Sequence, residues 1–294
     1  MSDSPKRVVV TGANKGIGRA IVERTLAEHS EAFVFLGSRD PGRGEAARAA
    51  IVEGNDGWAE RLEVLPIDVG DDESVIAAAA SIRERFGDQP LYGVVDNAGV
   101  GRQGNTFEKV LEVNAWGTHR VCEAFAPLVA DGGRIVIVSS ASGPSYVSEC
   151  SEERQRFFTD PNVAWADLDA LLRETLSLDG PAAFAAKGLA GGDGYGLSKA
   201  AANAVMLIVA REHPRLVVGS CTPGFIATDM TRPYAEAQDK SPAEMGMKTP
   251  HEGATAPLHL LFDETRSGFY FGSDAERSPL DRYRSPGDPP YTGD

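Results

Sequence analysis

A doubly wound α/β fold on one parallel sheet is the architecture the sequence predicts, and three features predict it. Short β-branched or aromatic runs alternate with helix-length segments along most of the 294 residues. A glycine-rich turn, TGANKGIG at residues 11–18, falls where the first strand gives way to the first helix. The alternation lapses once, between Ser140 and Tyr195, and then resumes. Strands separated by helices of this length pair in parallel with both faces covered. Right-handed crossovers then leave few topologies.

The elements follow in order. A Val-rich run at 7–10 predicts the first strand, residues 18–30 a helix and the apolar run 32–37 a second strand, which together open the chain as a βαβ unit. Helices over 43–54 and 73–86 alternate with strands at 62–67 and 91–96. A helical stretch over about 107–129 leads into a strand at 134–139. The interval that follows begins with a charged segment, CSEERQRFFTD. In the next segment Trp165, Leu168, Leu171 and Leu172 recur at helical spacing, so the spacing predicts a helical insertion over about 145–190. Its end, AAKGLAGGDG, is rich in small residues. Beyond it come a helix carrying YGLSK, a strand at 215–220, a loop-rich segment over 222–252, a helix at 253–261 and a strand at 268–271. The tail from about 273 to 294, with its prolines and charges, reads as loop-like. No internal repeat is present, and residues 1–294 read as one domain.

Composition narrows the function classes. A hydrophobic content of 42% with 24% charged residues is that of a soluble protein, and no apolar run approaches the roughly 20 residues that cross a bilayer. The N-terminal MSDSPKRVVVTG passes from basic residues straight into a strand-like run, unlike a signal peptide, so a cytoplasmic location is expected. Cys122, Cys150 and Cys221 are odd in number and far apart, which fits reduced, buried thiols. The five histidines show no metal-ligand spacing, and no metal site is expected. A net charge of −14 argues against nucleic acid or an anionic membrane as partner. An anionic ligand must find a local basic site.

Three segments carry chemistry. The glycines of TGANKGIG (Gly12, Gly16, Gly18, with Asn14, Lys15 and Ile17 between them) sit where a tight turn lets a pyrophosphate approach a helix N-terminus. The second strand ends in FLGSRD, where such a fold places an adenosine ribose. Ser38 and Arg39 occupy that region, and Arg39 and Arg43, joined by Lys15, offer basic groups to a 2′-phosphate, which favours NADPH over NADH although Asp40 stands close by. Tyr195 and Lys199, four apart in YGLSK, share one helical face, so an ammonium one turn from a phenol is expected to lower the phenol's pKa.

On these motifs the chain resembles the short-chain dehydrogenase/reductase family, nearly end to end and in the family's order. Its glycine motif stands as Thr11, Gly12, Gly16 and Gly18; Asp68, followed by Val69 in PIDV, resembles the acidic residue before the adenine pocket. Asn97, Ala98 and Gly99 match its Asn-Ala-Gly strand end. Pro223, Gly224 and Thr228, with Ile226 between, match its Pro-Gly segment. Asn114, Ser140, Tyr195 and Lys199 match the family's catalytic residues.

The resemblance implies a Rossmann fold and an NADPH/NADP-dependent oxidoreductase acting on a small-molecule carbonyl substrate. Ser140 would bond the carbonyl oxygen, Tyr195 deliver the proton, Lys199 hold the nicotinamide ribose and lower the tyrosine pKa, and Asn114 anchor a relay; Ser140 is favoured over Ser139 only by the motif. Two departures stand out. Asp96 replaces the asparagine usual before Asn-Ala-Gly, and 55 positions separate Ser140 from Tyr195, far more than in compact members. The long interval resembles the monomeric carbonyl reductase branch, with its carbonyl, menthone and salutaridine reductases, whose extra helices cover the surface through which compact relatives oligomerise. A monomer is therefore expected. Oxidation of an alcohol with NADP, and dinucleotide binding without turnover, are the alternatives. Trp165, Phe157 and Phe158 would line the substrate pocket if the insertion leaned over the site.

Overall fold

The computed structural model describes residues 5–293; residues 1–4 and 294, where the leader reading begins and the tail ends, lie outside the described residues. One eight-stranded sheet organises the molecule, in the order β3-β2-β1-β4-β5-β6-β7-β8. Its strands are β1 (Lys6–Val10), β2 (Ala32–Ser38), β3 (Leu62–Pro66), β4 (Leu91–Asp96), β5 (Val129–Val138), β6 (Val217–Cys221), β7 (Phe269–Phe271) and β8 (Arg277–Ser278). All pairings are parallel except β7 with β8. The doubly wound sheet expected from the sequence is thus present, with one antiparallel strand added at its edge.

Strand alternation divides the core. Val8 and Val10 of β1 face one layer and Val9 the other, as the two-residue period requires. On the first face lie α1 (Gly16–Glu28), α2 (Pro41–Val52) and α13 (Thr255–Phe262). The second face is covered by α3 (Asp72–Phe86), α5 (Gly117–Phe125) and the long α10 (Gly194–Glu212), which carries Tyr195 and Lys199 and is buried over most of its length. The interval before α10 holds α6 (Ser142–Ser148), α7 (Glu152–Thr159), α8 (Trp165–Thr175) and α9 (Gly180–Ala186). Of these, α6, α7 and α8 pack on α10.

The helical stretch expected over 107–129 is present, as an unbroken run of α4 (Phe107–Leu111), a π turn at Glu112–Trp116, α5 and a 3-10 turn at Ala126–Leu128. A π turn widens the helix by one residue, and here that residue set contains Asn114. The tail is not all loop: Arg277–Ser278 form β8, and Arg284 enters a largely buried ion pair with Asp274 at 2.7 Å. The 222–252 segment holds only α11 (Arg232–Glu236) and the start of α12 (Pro250–Gly253).

Candidate active site

The strand order reverses between β1 and β4, and the carboxyl ends of the strands there open into a cleft of about 560 Å³. This is where a doubly wound sheet exposes its strand ends to a ligand. Gly12 and Gly16 take left-handed backbone, φ +62° and +57°, which other residues adopt at a cost. A side chain at Gly18 would come within 2.5 Å of Asn97 Nδ2 and of Gly12 O, and one at Gly12 within 2.9 Å of Ala98 Cα, so the loop and the Asn97–Ala98 strand end leave no room for side chains. No side chain caps the first turn of α1, whose free N–H groups and positive dipole end are left to a ligand. The cradle fits a pyrophosphate.

At the end of β2, Ser38 is buried and donates to Asp40 O at 2.8 Å. The Asp40 carboxylate caps α2, accepting from Arg43 N at 2.9 Å, with the Arg43 guanidinium 3.7 Å away. Asp40 is therefore committed to its own helix rather than free to bond a ribose. Arg39 lies 3.9 Å from Asp68, whose carboxylate also accepts from Gly70 N. Lys15 does not join Arg39 and Arg43 as expected: its ammonium donates to Asp229 at 2.8 Å, tying the glycine loop to the segment after β6.

Behind the cleft wall stand the four residues singled out for chemistry. Asn114 Oδ1 accepts from Val100 N and its Nδ2 donates to Val100 O, both at 2.9 Å, with a further bond to Ser198 Oγ at 3.1 Å. Ser139 Oγ is buried and donates to Lys199 O, whereas Ser140 Oγ donates to Ser142 Oγ at 3.3 Å and accepts from Ser142 N, near enough to Tyr195 to draw its phenol down. Of the two serines, Ser140 is the one beside the phenol. Lys199 Nζ donates to Val138 O at 2.9 Å and lies 5.9 Å from the centre of the Tyr195 ring. A side chain on Gly99, which lines the cleft, would reach within 3.6 Å of that ammonium.

One expectation is overturned. The Tyr195 phenol is held above its ordinary value, not below it: burial raises it, Ser140 pulls it back, and Tyr234 and Asp193 add to the rise. The Lys199 ammonium donates to Val138 O and lies 5.9 Å from the centre of the phenol ring. Burial lowers Lys199 itself to about 8, against the pull of Asp96 and Cys221. The phenol is a stable proton carrier at neutral pH.

Of the expected cofactor residues, Gly12, Asn14, Lys15, Gly16, Ile17 and Thr228 line the cleft from the glycine loop and the segment facing it. Ser38, Arg39, Arg43, Asp68, Val69, Asn97, Ala98 and Gly99 complete its wall. Gly18 is buried beneath, and Ile226 is buried under Gly253. Pro223 and Gly224 are not among the lining residues, and a side chain on Gly224 would meet Ser273 at 3.0 Å. These four shape the cleft from behind. Phe157, Phe158 and Trp165 do not line it: Phe158 is buried in the core, Trp165 stacks on His119 at 3.6 Å, and Phe157 borders a separate surface depression with Arg154. Sequence reading missed Arg102, Met230, Arg232 and Tyr234, which also line the cleft. Their signal was position alone, just beyond the Asn-Ala-Gly and Pro-Gly segments.

The family model described as short chain dehydrogenase matches residues 6–151. Carbonyl reductase 1 (NADPH) of Sus scrofa is 31% identical over 273 residues, covering 88% of each chain. The solved menthone neomenthol reductase of Mentha piperita is 25% identical with a TM-score of 0.70, covering 92% of this chain and 99% of its own. Salutaridine reductase of Papaver somniferum, at 24% identity, shares the fold with a TM-score of 0.73 over 90% of this chain and 99% of its own.

Proposed function

The chain belongs to the short-chain dehydrogenase/reductase family and is an oxidoreductase of it, and from that premise we propose that it uses NADPH to reduce an aldehyde or ketone to an alcohol. The observation that carries the reading is the Ser140–Tyr195 pair beside the cleft, with the phenol held protonated. Reduction places negative charge on a carbonyl oxygen, so that oxygen needs a hydrogen-bond donor and a proton.

The glycine cradle would hold the cofactor's pyrophosphate, with Ser38, Arg39 and Arg43 at the adenosine end. Bound there, NADPH would supply the hydride. Ser140 Oγ would donate to the carbonyl oxygen and Tyr195 would pass its hydroxyl proton to it. Lys199 would present its ammonium behind Gly99, toward the ribose nearest the reacting carbon. Asn114, with both amide atoms bonded to Val100, would keep that wall and Ser198 in place. A phenol above its ordinary value keeps its proton at neutral pH, which the donor role requires.

No helix among the described residues is long and apolar enough to cross a membrane. All three cysteines are buried and unpaired, which supports a reducing, cytoplasmic setting. A monomer is proposed, the helices of the interval before α10 being the cover over its assembly surface.

The test is NADPH oxidation over quinones, aromatic aldehydes, cyclic terpenoid ketones and β-keto esters, with NADH as control. Tyr195→Phe should lose turnover by roughly a hundredfold or more while still binding NADPH. Unchanged carbonyl reduction in that variant would sink the assignment.

A further inference from the structure

Asp96 and Lys199 are both buried, at 2% and 6% exposure, and they are opposite in sign. Burying an ion without a counter-charge is strongly unfavourable. The sequence sharpens the point, because the family resemblance leads one to expect asparagine where Asp96 stands.

The fold brings the two together from different elements. Asp96 ends β4 in register with Ile137 of β5, and the next residue of β5, Val138, accepts the Lys199 ammonium at 2.9 Å. From the other side of β4, Thr11 at the end of β1 donates to Asp96 Oδ1 at 2.9 Å. The same hydroxyl accepts from Asn97 N and Ala98 N, at 3.0 and 2.9 Å, so the carboxylate is built into the turn that walls the cleft. Thr118 of α5, whose hydroxyl donates to Asn114 O at 3.0 Å, also lowers the Asp96 carboxyl.

No third charge competes. Cys122 on α5 and Cys221 on β6 are thiols that burial pushes up and so keeps neutral, and the Tyr195 phenol is kept neutral in the same way. In a low-dielectric interior two charges act on each other over several ångströms without touching.

We propose that Asp96 is the buried counter-charge of Lys199, a positioning residue that keeps the ammonium charged and fixed behind Gly99. The proposal deepens the carbonyl-reductase reading and rests on it for its kinetic readout alone. The directions agree: burial lowers Lys199 and Asp96 opposes that fall, while burial raises Asp96 and Thr118, Thr11 and Lys199 oppose that rise. An asparagine could make the hydrogen bonds but not hold the charge.

Asp96→Asn tests it with little change of shape. The alkaline limb of kcat/KM, expected near the Lys199 value of about 8, should move to lower pH by about one unit, with turnover on the acid side kept. A structural role would scale activity alike at every pH. An unmoved limb in the folded variant overturns the pairing. A second measurement needs neither turnover nor that variant: carboxyl carbon NMR of the wild type should find Asp96 ionised at neutral pH, with its midpoint rising in Lys199→Met. A protonated Asp96 at neutral pH, or a midpoint indifferent to Lys199, overturns the proposal, and this titration decides if Asp96→Asn does not fold. A wild-type chain that reduces no carbonyl sinks the functional reading and leaves the titration standing.

Discussion

The proposed preference for NADPH turns at the residue scale on Arg39. Its guanidinium is 63% exposed and reaches only to 3.9 Å from Asp68, so it is free to turn to a phosphate. Asp40, the carboxylate that would otherwise disfavour a 2′-phosphate, is occupied as the cap of α2. Arg39→Ala should therefore raise KM for NADPH about tenfold, the worth of one charge-assisted hydrogen bond, and leave KM for NADH in place. Equal effects on both cofactors would refute this role. The sequence showed these residues because their chemistry depends on position in a motif. It misread Lys199 because spacing of four guarantees a shared face and not a contact; the ammonium found a carbonyl of β5 that only the folded sheet supplies. The Lys15 ion pair was out of sight for the same reason, its partner Asp229 being 214 residues away.

At the scale of elements, the π turn and α8 repay attention. Asn114 reaches Val100 because Glu112–Trp116 is wound one residue wider than an α-helix, a detail that apolar periodicity over 107–129 does not encode. The periodicity of α8 correctly marked a buried face, yet it could not say against what. That face lies on the core around α10 and α5 rather than over the cleft, pinned by Trp116 Nε1 donating to Asp169 at 2.7 Å and by the Trp165–His119 stack. Burial lowers His119 from 6.5 to about 4; Glu212 and Asp169 oppose the fall and Arg120 adds to it. The unfolded chain thus binds a proton that the folded one does not between those values. Stability is full above about pH 6.5 and falls as pH drops toward 4, by at most about 3 kcal/mol from this group. Denaturant unfolding at both ends of that window should show a smaller loss in His119→Phe, which keeps a ring on Trp165; an equal loss would clear His119 of the effect.

For the molecule as a whole, one sheet was readable because most of its strands are buried on both faces and so appear as unbroken apolar runs. The exception, β8, is the two residues Arg277 and Ser278, too short for any period and held by pairing with Phe271 and Tyr270. Oligomeric state is a question of the same scale. Phe158, Leu168, Leu171, Leu172 and Phe184, contributed by α7, α8 and α9, are buried in the core that also contains α10. Each fully buried side chain of this kind is worth about 1.5–3 kcal/mol, so the interval is bound to the domain far too firmly to swing aside and free the surface beneath. A second copy would have to pack on the outer, charged side of these helices, where Arg156, Glu152 and Arg173 are exposed. Light scattering at micromolar concentration should therefore return the single-chain mass of 31.2 kDa. A stable dimer or tetramer there would show that assembly uses a surface the insertion leaves open.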